Sequence, residues 1–391
     1  MTLRFSGFKL KNFCPIGPLF RIPGRGGRWP MKIAIFGGSI AGLAAAGRLE
    51  QQGHDVSLWE KNSTPSGGGF GILLPSSALG AFDALALGDA VRQAGHPIER
   101  CDLRAGEEGS FHQQALTDTH AISRSSLIGI LRSSLEKTTF HGDATFVDFD
   151  FDGTGRARHG LLSDGRKVEA DLFIGADGVR STVRERVLPG LPLSEVRVVE
   201  MVGSIDGAKI PPFLTNTFSK TLFHHQGLAI GLLPVSDDCL VWFIQADPLR
   251  NPEIFSQGRA LQNWVGSVAR RCPSPVRELC LEIDPLGSRL CRSTDRELPS
   301  QFHRENVLLL GDAAHPLLPF TSQGTGSAIE DARDLSRLLE RLPNNLEHNL
   351  QQLARQRLPI LRERLRVGRR LQRQFLAPGG SERHGPVPLA S

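Results

Sequence analysis

The 391-residue chain is punctuated by short apolar runs set between two kinds of periodicity. Ile33 to Phe36 is an unbroken apolar run, as expected of a strand buried on both faces. Gly37, Gly38, Ser39, Ile40, Ala41 and Gly42 follow it. The next stretch, "LAAAGRLEQQG", is rich in helix formers, with Leu43, Ala46 and Leu49 on one side. Gly53 ends that helix. "DVSLWE" then reads as a second strand, closed by Glu60. The pattern is a βαβ unit of about 30 residues.

Two later segments repeat it. In "VEADLFIGADGVRSTVRERV", Leu172 to Ile174 forms the strand, glycines bracket a turn, and a helix opens near Ser181. In "NVLLLGDAAHPLLPFTSQGTGSAIEDARDLSRLLERL", the strand is Val307 to Leu310. Gly311 and Asp312 stand at its carboxyl end, before a glycine-broken loop. A helix with Ala328, Ala332, Leu335 and Leu339 on one face completes the segment. Three strand ends thus deliver small or acidic residues to one place. Ligands of open α/β sheets bind at the carboxyl ends of the strands.

From about 187 to 295 the βαβ pattern stops. "TLFHHQGLAIGLLPVSDDCLVWFIQAD" reads as strands separated by "HQG" and "SDD" turns, an antiparallel arrangement. One strand from within 97–119 is expected to join it. Near the other end, "RQRLPILRERLRVGRRLQRQF" holds eight arginines and one glutamate. Leu358, Leu361, Leu365 and Leu371 approximate an apolar stripe, so this helix is expected to pack on the protein rather than on nucleic acid or a membrane.

Composition changes the picture in one respect. The formal net charge is +5, but Arg4, Lys9, Lys11, Arg21, Arg25 and Arg28 precede the first strand with no acid among them. The remainder carries 40 basic against 41 acidic residues, so the basic balance is not a nucleic-acid footprint. That extension reads either as a targeting segment or as upstream of a start at Met31, and it is expected to be dispensable. Six cysteines stand without a C-x-x-C pair, which argues against a zinc site or disulfide frame and for a reduced, cytoplasmic protein. No apolar run is long enough to span a bilayer.

The first turn carries recognisable chemistry. Gly37 permits the tight turn, a small residue at Ser39 lets a pyrophosphate approach the backbone, and Gly42 lets helix and strand pack closely. Ser39 stands where G-x-G-x-x-G has glycine. The helix N-terminus offers free N–H groups to phosphates, and Glu60 is placed for an adenosine ribose. These features alone fit NAD or FAD.

Taken together, "GGSIAG" with Glu60, "GADGVRST" and "GDAAHP", in that order, resemble the para-hydroxybenzoate hydroxylase-like family of FAD-dependent aromatic monooxygenases. "ISRSSLIGIL" is a fourth match, and the similarity spans about 31 to 375. The resemblance implies an α/β fold. A Rossmann-like FAD-binding domain would be interleaved with a mainly antiparallel β-sheet substrate domain and followed by a C-terminal helix. The FAD-binding domain would comprise 31–96, 120–186 and 296–345, and the substrate domain 97–119 and 187–295. Residues 346–378 would form the helical segment, with 1–30 a disordered extension and 379–391 a tail.

In that resemblance Gly37, Gly38, Ser39, Ala41, Gly42, Glu60 and Lys61 hold the ADP part of FAD. Arg124 contacts its phosphate or ribose region. Asp177 and Gly178 serve FAD and the passing NAD(P)H. Gly311 and Asp312 meet the ribityl chain, and the loop with Pro319, Gly324, Thr325 and Gly326 lines the isoalloxazine. The implied reaction uses NAD(P)H and O2 to hydroxylate a small aromatic or electron-rich substrate through a flavin C4a-hydroperoxide. No metal and no nucleic acid is expected, and the oligomeric state is open. A lipid-ring hydroxylase, a dehydrogenase and a non-catalytic flavin-binding protein are the rival readings. Some family members use a tyrosine or histidine to deprotonate a phenol. This chain has no tyrosine, which leaves His224, His225 and His315 as weak candidates, with His112 no better placed.

Overall fold

The computed structural model describes residues 30–63, 70–106, 111–207, 209–223, 226–343 and 345–377. The N-terminal extension up to residue 29, the 379–391 tail, His224 and His225 lie outside the described residues.

A six-stranded sheet forms the base of the molecule. Its order is His303–Arg304, Val307–Leu309, Leu172–Gly175, Lys32–Phe36, Asp55–Trp59 and Thr139–His141. All pairs are parallel except the first hairpin. Past the exposed Lys32 the central strands are apolar, because helices and a small sheet cover both faces: Ile33, Ile35, Phe173, Ile174 and Leu308 are buried. Helix Ile40–Gln51 and helix Gly324–Arg341 pack against each other beside it.

One layer was not anticipated. Phe146–Phe151, Ala157–Leu162 and Lys167–Glu169 form a three-stranded antiparallel sheet over the base. Phe36, Phe146, Phe149 and Phe173 interlock there. Gly160 makes room for them, since a Cβ would lie 2.4 Å from the Phe36 ring.

A seven-stranded sheet stands above. Its order is Arg289–Ser293, Val198–Asp206, Cys239–Ala246, Leu228–Pro234, Thr217–Phe223, Arg100–Ala105 and Phe111–Ala115. The 97–119 segment therefore supplies two strands rather than one, and Arg100–Ala105 pairs in parallel with Thr217–Phe223. The outer face buries Trp242, Ile244 and Ile230 under helix Gly258–Arg270, through Leu261, Val265 and Val268. The opposite face carries the alternate residues, of which Phe218, Leu233 and Val241 pack with Leu73, Ile98 and Ala121.

The C-terminal helix, Leu346–Leu376, packs on the molecule as expected. Leu358, Leu361 and Leu365 are buried, and Leu371 joins a cluster with Leu318, Phe320 and Leu376. Four of its eight arginines find acids. Arg357 reaches Asp331 at 2.8 Å and Glu330 at 2.6 Å, and Arg364 reaches Glu330 at 2.6 Å. Arg369 meets Asp295 at 2.8 Å, and Arg366 pairs with Glu363 at 2.6 Å. Among the described residues no helix is long and apolar enough to cross a membrane, and no group of three or more His, Cys, Asp or Glu is arranged to hold a metal ion.

Candidate active site

Register brings the three motifs together. Phe36 pairs with Gly175, and Gly175 with Leu309, so the turns that follow these strands lie side by side. Gly37 has φ +112, and a Cβ there would stand 2.3 Å from the Ala176 carbonyl oxygen. Its N–H donates to the Trp59 carbonyl at 2.8 Å. Gly42 packs the helix onto the turn, because a Cβ would fall 1.9 Å from the Gly37 carbonyl oxygen. Only glycine satisfies these approaches.

A cavity of about 330 Å³ opens over these turns. Gly37, Gly38, Ser39 and Ala41 line it from the first turn and helix, and Glu60 and Lys61 from the end of the second strand. Arg124 borders it with Asp177 and Gly178 of the second motif. Asp312, Gly324 and Thr325 close the far side. Gly42, Gly311 and Gly326 lie behind this surface. Gly311 approaches the Ala41 methyl, and a Cβ on Gly326 would lie 3.0 Å from that of Ala78. Pro319 lines a second cavity instead.

The polar groups are strongly constrained. One Glu60 oxygen accepts the Gly38 N–H at 2.8 Å, and the other accepts the Asn62 side-chain amide at 2.7 Å. Arg124 donates to the Ser39 hydroxyl at 2.6 Å, so the departure from glycine at Ser39 provides an anchor for the guanidinium. Burial lowers the Arg124 pKa, and Asp312 opposes that shift. The Asp177 carboxylate turns toward the next helix. It accepts the Ser181 hydroxyl, the Thr182 N–H at 2.7 Å and the Val183 N–H at 3.1 Å. Burial nonetheless raises its pKa, with Ser181 working against the shift.

Two helices present uncapped N-termini to this space. Ser39 precedes Ile40–Gln51 and Gln323 precedes Gly324–Arg341, and neither side chain caps its helix. Free N–H groups and the positive ends of both helix dipoles thus face the cavity. With the Arg124 and Arg180 guanidiniums and a glycine turn that admits backbone contact, the donor set fits an anionic diphosphate at one end and an electron-rich ring edge at the other. The residues present fit FAD.

Asp312 sits where the first cavity meets the second. It is deep in the protein but open to cavity space, and burial raises its pKa against the pull of His315 and Arg124. Its turn is held from behind. Asp331 accepts the Gly311 N–H at 2.9 Å, His315 Nε2 at 2.6 Å and Arg357 Nε at 2.8 Å. Burial works to raise the Asp331 carboxyl, but His315 and Arg357 outweigh it and hold it at about 2. His315 is buried in this network and lines neither cavity, so it is not placed to touch a substrate. His112 lies on the edge strand Phe111–Ala115, exposed and away from both.

The second cavity, about 320 Å³, lies between the seven-stranded sheet and the loop after Asp312. Its walls are apolar and aromatic, from Leu103, Phe218, Leu233, Val241, Phe243 and Phe320. Three polar residues missed by sequence reading enter it: Lys220, Gln245 and Glu200. Lys220 Nζ donates to Gln245 Oε1 at 2.7 Å, and Gln245 Nε2 donates to Glu200 Oε1 at 2.9 Å. Burial pushes the Lys220 amine down to about 8 while Glu200 pulls it up, and burial raises Glu200. The available signal was phase. Lys220 alternates with Phe218 and Leu222, and Gln245 with Phe243 and Val241, on the inward face of their strands.

Comparison with known proteins agrees with this geometry. Residues 30–363 match the family described as FAD binding domain. A 3-amino-4-hydroxybenzoate 2-monooxygenase from Streptomyces cremeus is 28% identical over 371 residues, covering 90% of this chain and 89% of its own. An FAD-dependent urate hydroxylase from Mycolicibacterium vanbaalenii is 28% identical over 312 residues, or 77% of this chain and 78% of that one. The structure of Klebsiella pneumoniae HpxO complexed with FAD and uric acid superposes with a TM-score of 0.75 at 22% identity, covering 89% of each chain, a likeness of fold. With three motif turns converging on a cradle that fits FAD, and a family match over most of its length, the chain belongs to the FAD binding domain family and is an FAD-dependent monooxygenase.

Proposed function

We propose that this enzyme hydroxylates a small aromatic ring held in the second cavity, using NAD(P)H and O2, with FAD in the first. The observation that carries this reading is the junction of the two cavities, which share Asp312, Gly324 and Thr325. A ring under Phe218, Phe243 and Phe320 thus lies next to the place where the isoalloxazine belongs. FAD, when bound, supplies hydride acceptance from NAD(P)H and activation of O2.

The chain's own residues do the rest. Gly37, Gly38, Ser39, Ala41 and Gly42 shape the diphosphate turn, and Glu60 and Lys61 flank the adenosine end. Arg124 offsets phosphate charge. Asp177 and Gly178 shape the middle of the crevice. Asp312 faces the ribityl region with Gly311 behind it, and Pro319, Gly324 and Thr325 border the ring with Gly326 behind them. The N-terminus of helix Gly324–Arg341 stabilises negative charge on the ring edge. The apolar walls of the second cavity exclude water from the reacting centre. In this reading the base sheet belongs to a discontinuous FAD-binding domain and the seven-stranded sheet to the substrate domain. The five described cysteines are unpaired, which is consistent with a reducing, cytoplasmic setting.

The balanced reaction consumes one NAD(P)H, one proton and one O2 per ring, and yields NAD(P)+, water and the hydroxylated ring. The test is to purify the protein with FAD and screen phenols, benzoates and hydroxylated heterocycles for stimulated NAD(P)H and O2 consumption. Stimulation by a ring, with a hydroxylated product, is the expected result. NAD(P)H oxidation that no ring alters would overturn the reading.

A further inference from the structure

The polar line across the second cavity says more about the substrate than the apolar walls do. It is built by register. Glu200 pairs directly with Gln245, and Lys220 and Phe243 both pair with Gly231. Gly231 lets the Phe243 ring lie across its strand, since a Cβ there would meet the ring at 2.1 Å. The Lys220 ammonium consequently lies 5.7 Å from the centroids of both Phe243 and Phe320, at an edge of the aromatic walls.

The Gln245 amide fixes what each neighbour can offer. Its oxygen is spent on Lys220 and its nitrogen donates to Glu200, and Gln245 itself is only 2% exposed. Lys220 keeps two N–H donors for a ligand. The Glu200 Oε1 accepts from Gln245, and no hydrogen bond to Oε2 is found among the described residues. Lys220 is also the one basic side chain, among the described residues, that lines this cavity.

We propose that Lys220 and Glu200, held on either side of the Gln245 amide, are the specificity-determining pair of this cavity, selecting a planar aromatic ring that carries one anionic oxygen and, on the same edge, one N–H donor. The inference rests on the functional reading above. Lys220 binds the anionic oxygen, and Glu200 accepts the N–H. A second anion on that edge meets the Glu200 carboxylate, so the pair rejects as well as selects. The titratable groups facing Lys220 are Glu200 from Val198–Asp206, Asp312 from the turn after Val307–Leu309 and Cys101 from Arg100–Ala105, whose thiol burial pushes up to about 12 and so keeps neutral. Because the amine is held at about 8, its contribution to anion binding is full below that pH and fades above it.

The experiment is calorimetric titration of the FAD-loaded full chain with benzoate, benzamide, 2-aminobenzoate and phthalate. Wild type should bind 2-aminobenzoate more tightly than benzoate, benzoate more tightly than benzamide, and phthalate more weakly than benzoate. Lys220→Met should cut the preference for benzoate over benzamide by about 10- to 100-fold. Glu200→Gln should relieve the discrimination against phthalate. In wild type, the preference for benzoate over benzamide should fall between pH 7 and pH 9, and Lys220→Met should abolish that dependence. The wild-type pH profile needs no variant, so it stands if Lys220→Met fails to fold. Absence of binding by all four rings, a flat profile in wild type, or an unchanged benzoate-to-benzamide ratio in a folded Lys220→Met protein would overturn the proposal. Binding as predicted without stimulated NAD(P)H consumption would support the pair and count against the hydroxylation reading instead.

Discussion

The Glu60 carboxylate accepts the Gly38 N–H at 2.8 Å, so the acid at the end of the second strand holds the glycine turn at the end of the first. Its other oxygen is fixed by Asn62. Glu60 therefore orients the glycine turn, which the proposed reading gives to the FAD phosphates, as well as lining the cavity. A charge-assisted hydrogen bond is worth about 1.5–3 kcal/mol. Glu60→Ala should weaken FAD binding about 10- to 100-fold. Titration of the apoprotein measures it, and an unchanged Kd would remove Glu60 from the cofactor site.

Ser39 and Arg124 form the second pair across the cradle, at 2.6 Å. Arg124→Ala removes the cation that the proposed reading sets against the diphosphate, and FAD affinity should fall about tenfold or more. Ser39→Gly restores a glycine but frees the guanidinium, so its effect should be weaker and in the same direction. Tighter FAD binding by Ser39→Gly would show that the serine hinders the phosphates rather than anchoring Arg124.

Asp331 ties the third motif to the C-terminal helix through Gly311, His315 and Arg357. Removing one member of a buried charge network costs about 3–5 kcal/mol, so Asp331→Asn should lower stability on that scale. The pH dependence has a definite sign. The folded carboxyl, at about 2, lies below its unfolded value near 3.9, so its ionisation stabilises the fold above about pH 4 and that contribution is lost as pH falls toward 2. Urea unfolding should show the gap between wild type and Asp331→Asn shrinking by about 1 kcal/mol from pH 6 to pH 3. A gap that does not change would mean the carboxylate's ion pairs do not govern this stability.

Much of this architecture was legible because local signals agreed. The run Ile33 to Phe36, the glycines after it and Glu60 each point to the same βαβ unit, and the strand before Asp312 is equally plain. What escaped depends on partners distant in sequence. Lys220, Gln245 and Glu200 sit on three strands, and only register shows that they meet. The arginines of the last helix look alike in sequence, and burial against Glu330 and Asp331 singles out Arg357. The small sheet over Phe36 was missed although "FVDFDFDGTG" alternates and ends in a glycine turn, since its strands are short and partly polar.

Asp312 lines both cavities while Asp331 secures the turn that carries it. Asp312→Ala should leave melting little changed but misplace the flavin ring. A shift of about 1 Å at a reacting centre costs on the order of 100-fold in rate. Stopped-flow reduction by NAD(P)H should slow on that scale, and hydrogen peroxide should rise as a share of O2 consumed. Equal reduction rates and equal peroxide yields in FAD-saturated wild type and variant would make Asp312 an ordinary loop acid.

In the proposed reading, the second cavity holds the ring beside the flavin site and one oxygen atom passes from O2 to that ring. The direct measurement is turnover of the FAD-loaded enzyme with NAD(P)H under 18O2, using the ring that best stimulates NAD(P)H consumption, followed by mass spectrometry of the product. One 18O atom per hydroxylated ring, formed in proportion to the NAD(P)H consumed, is the predicted result. A product whose oxygen comes from water, or consumption of O2 that ends entirely as hydrogen peroxide, would contradict it.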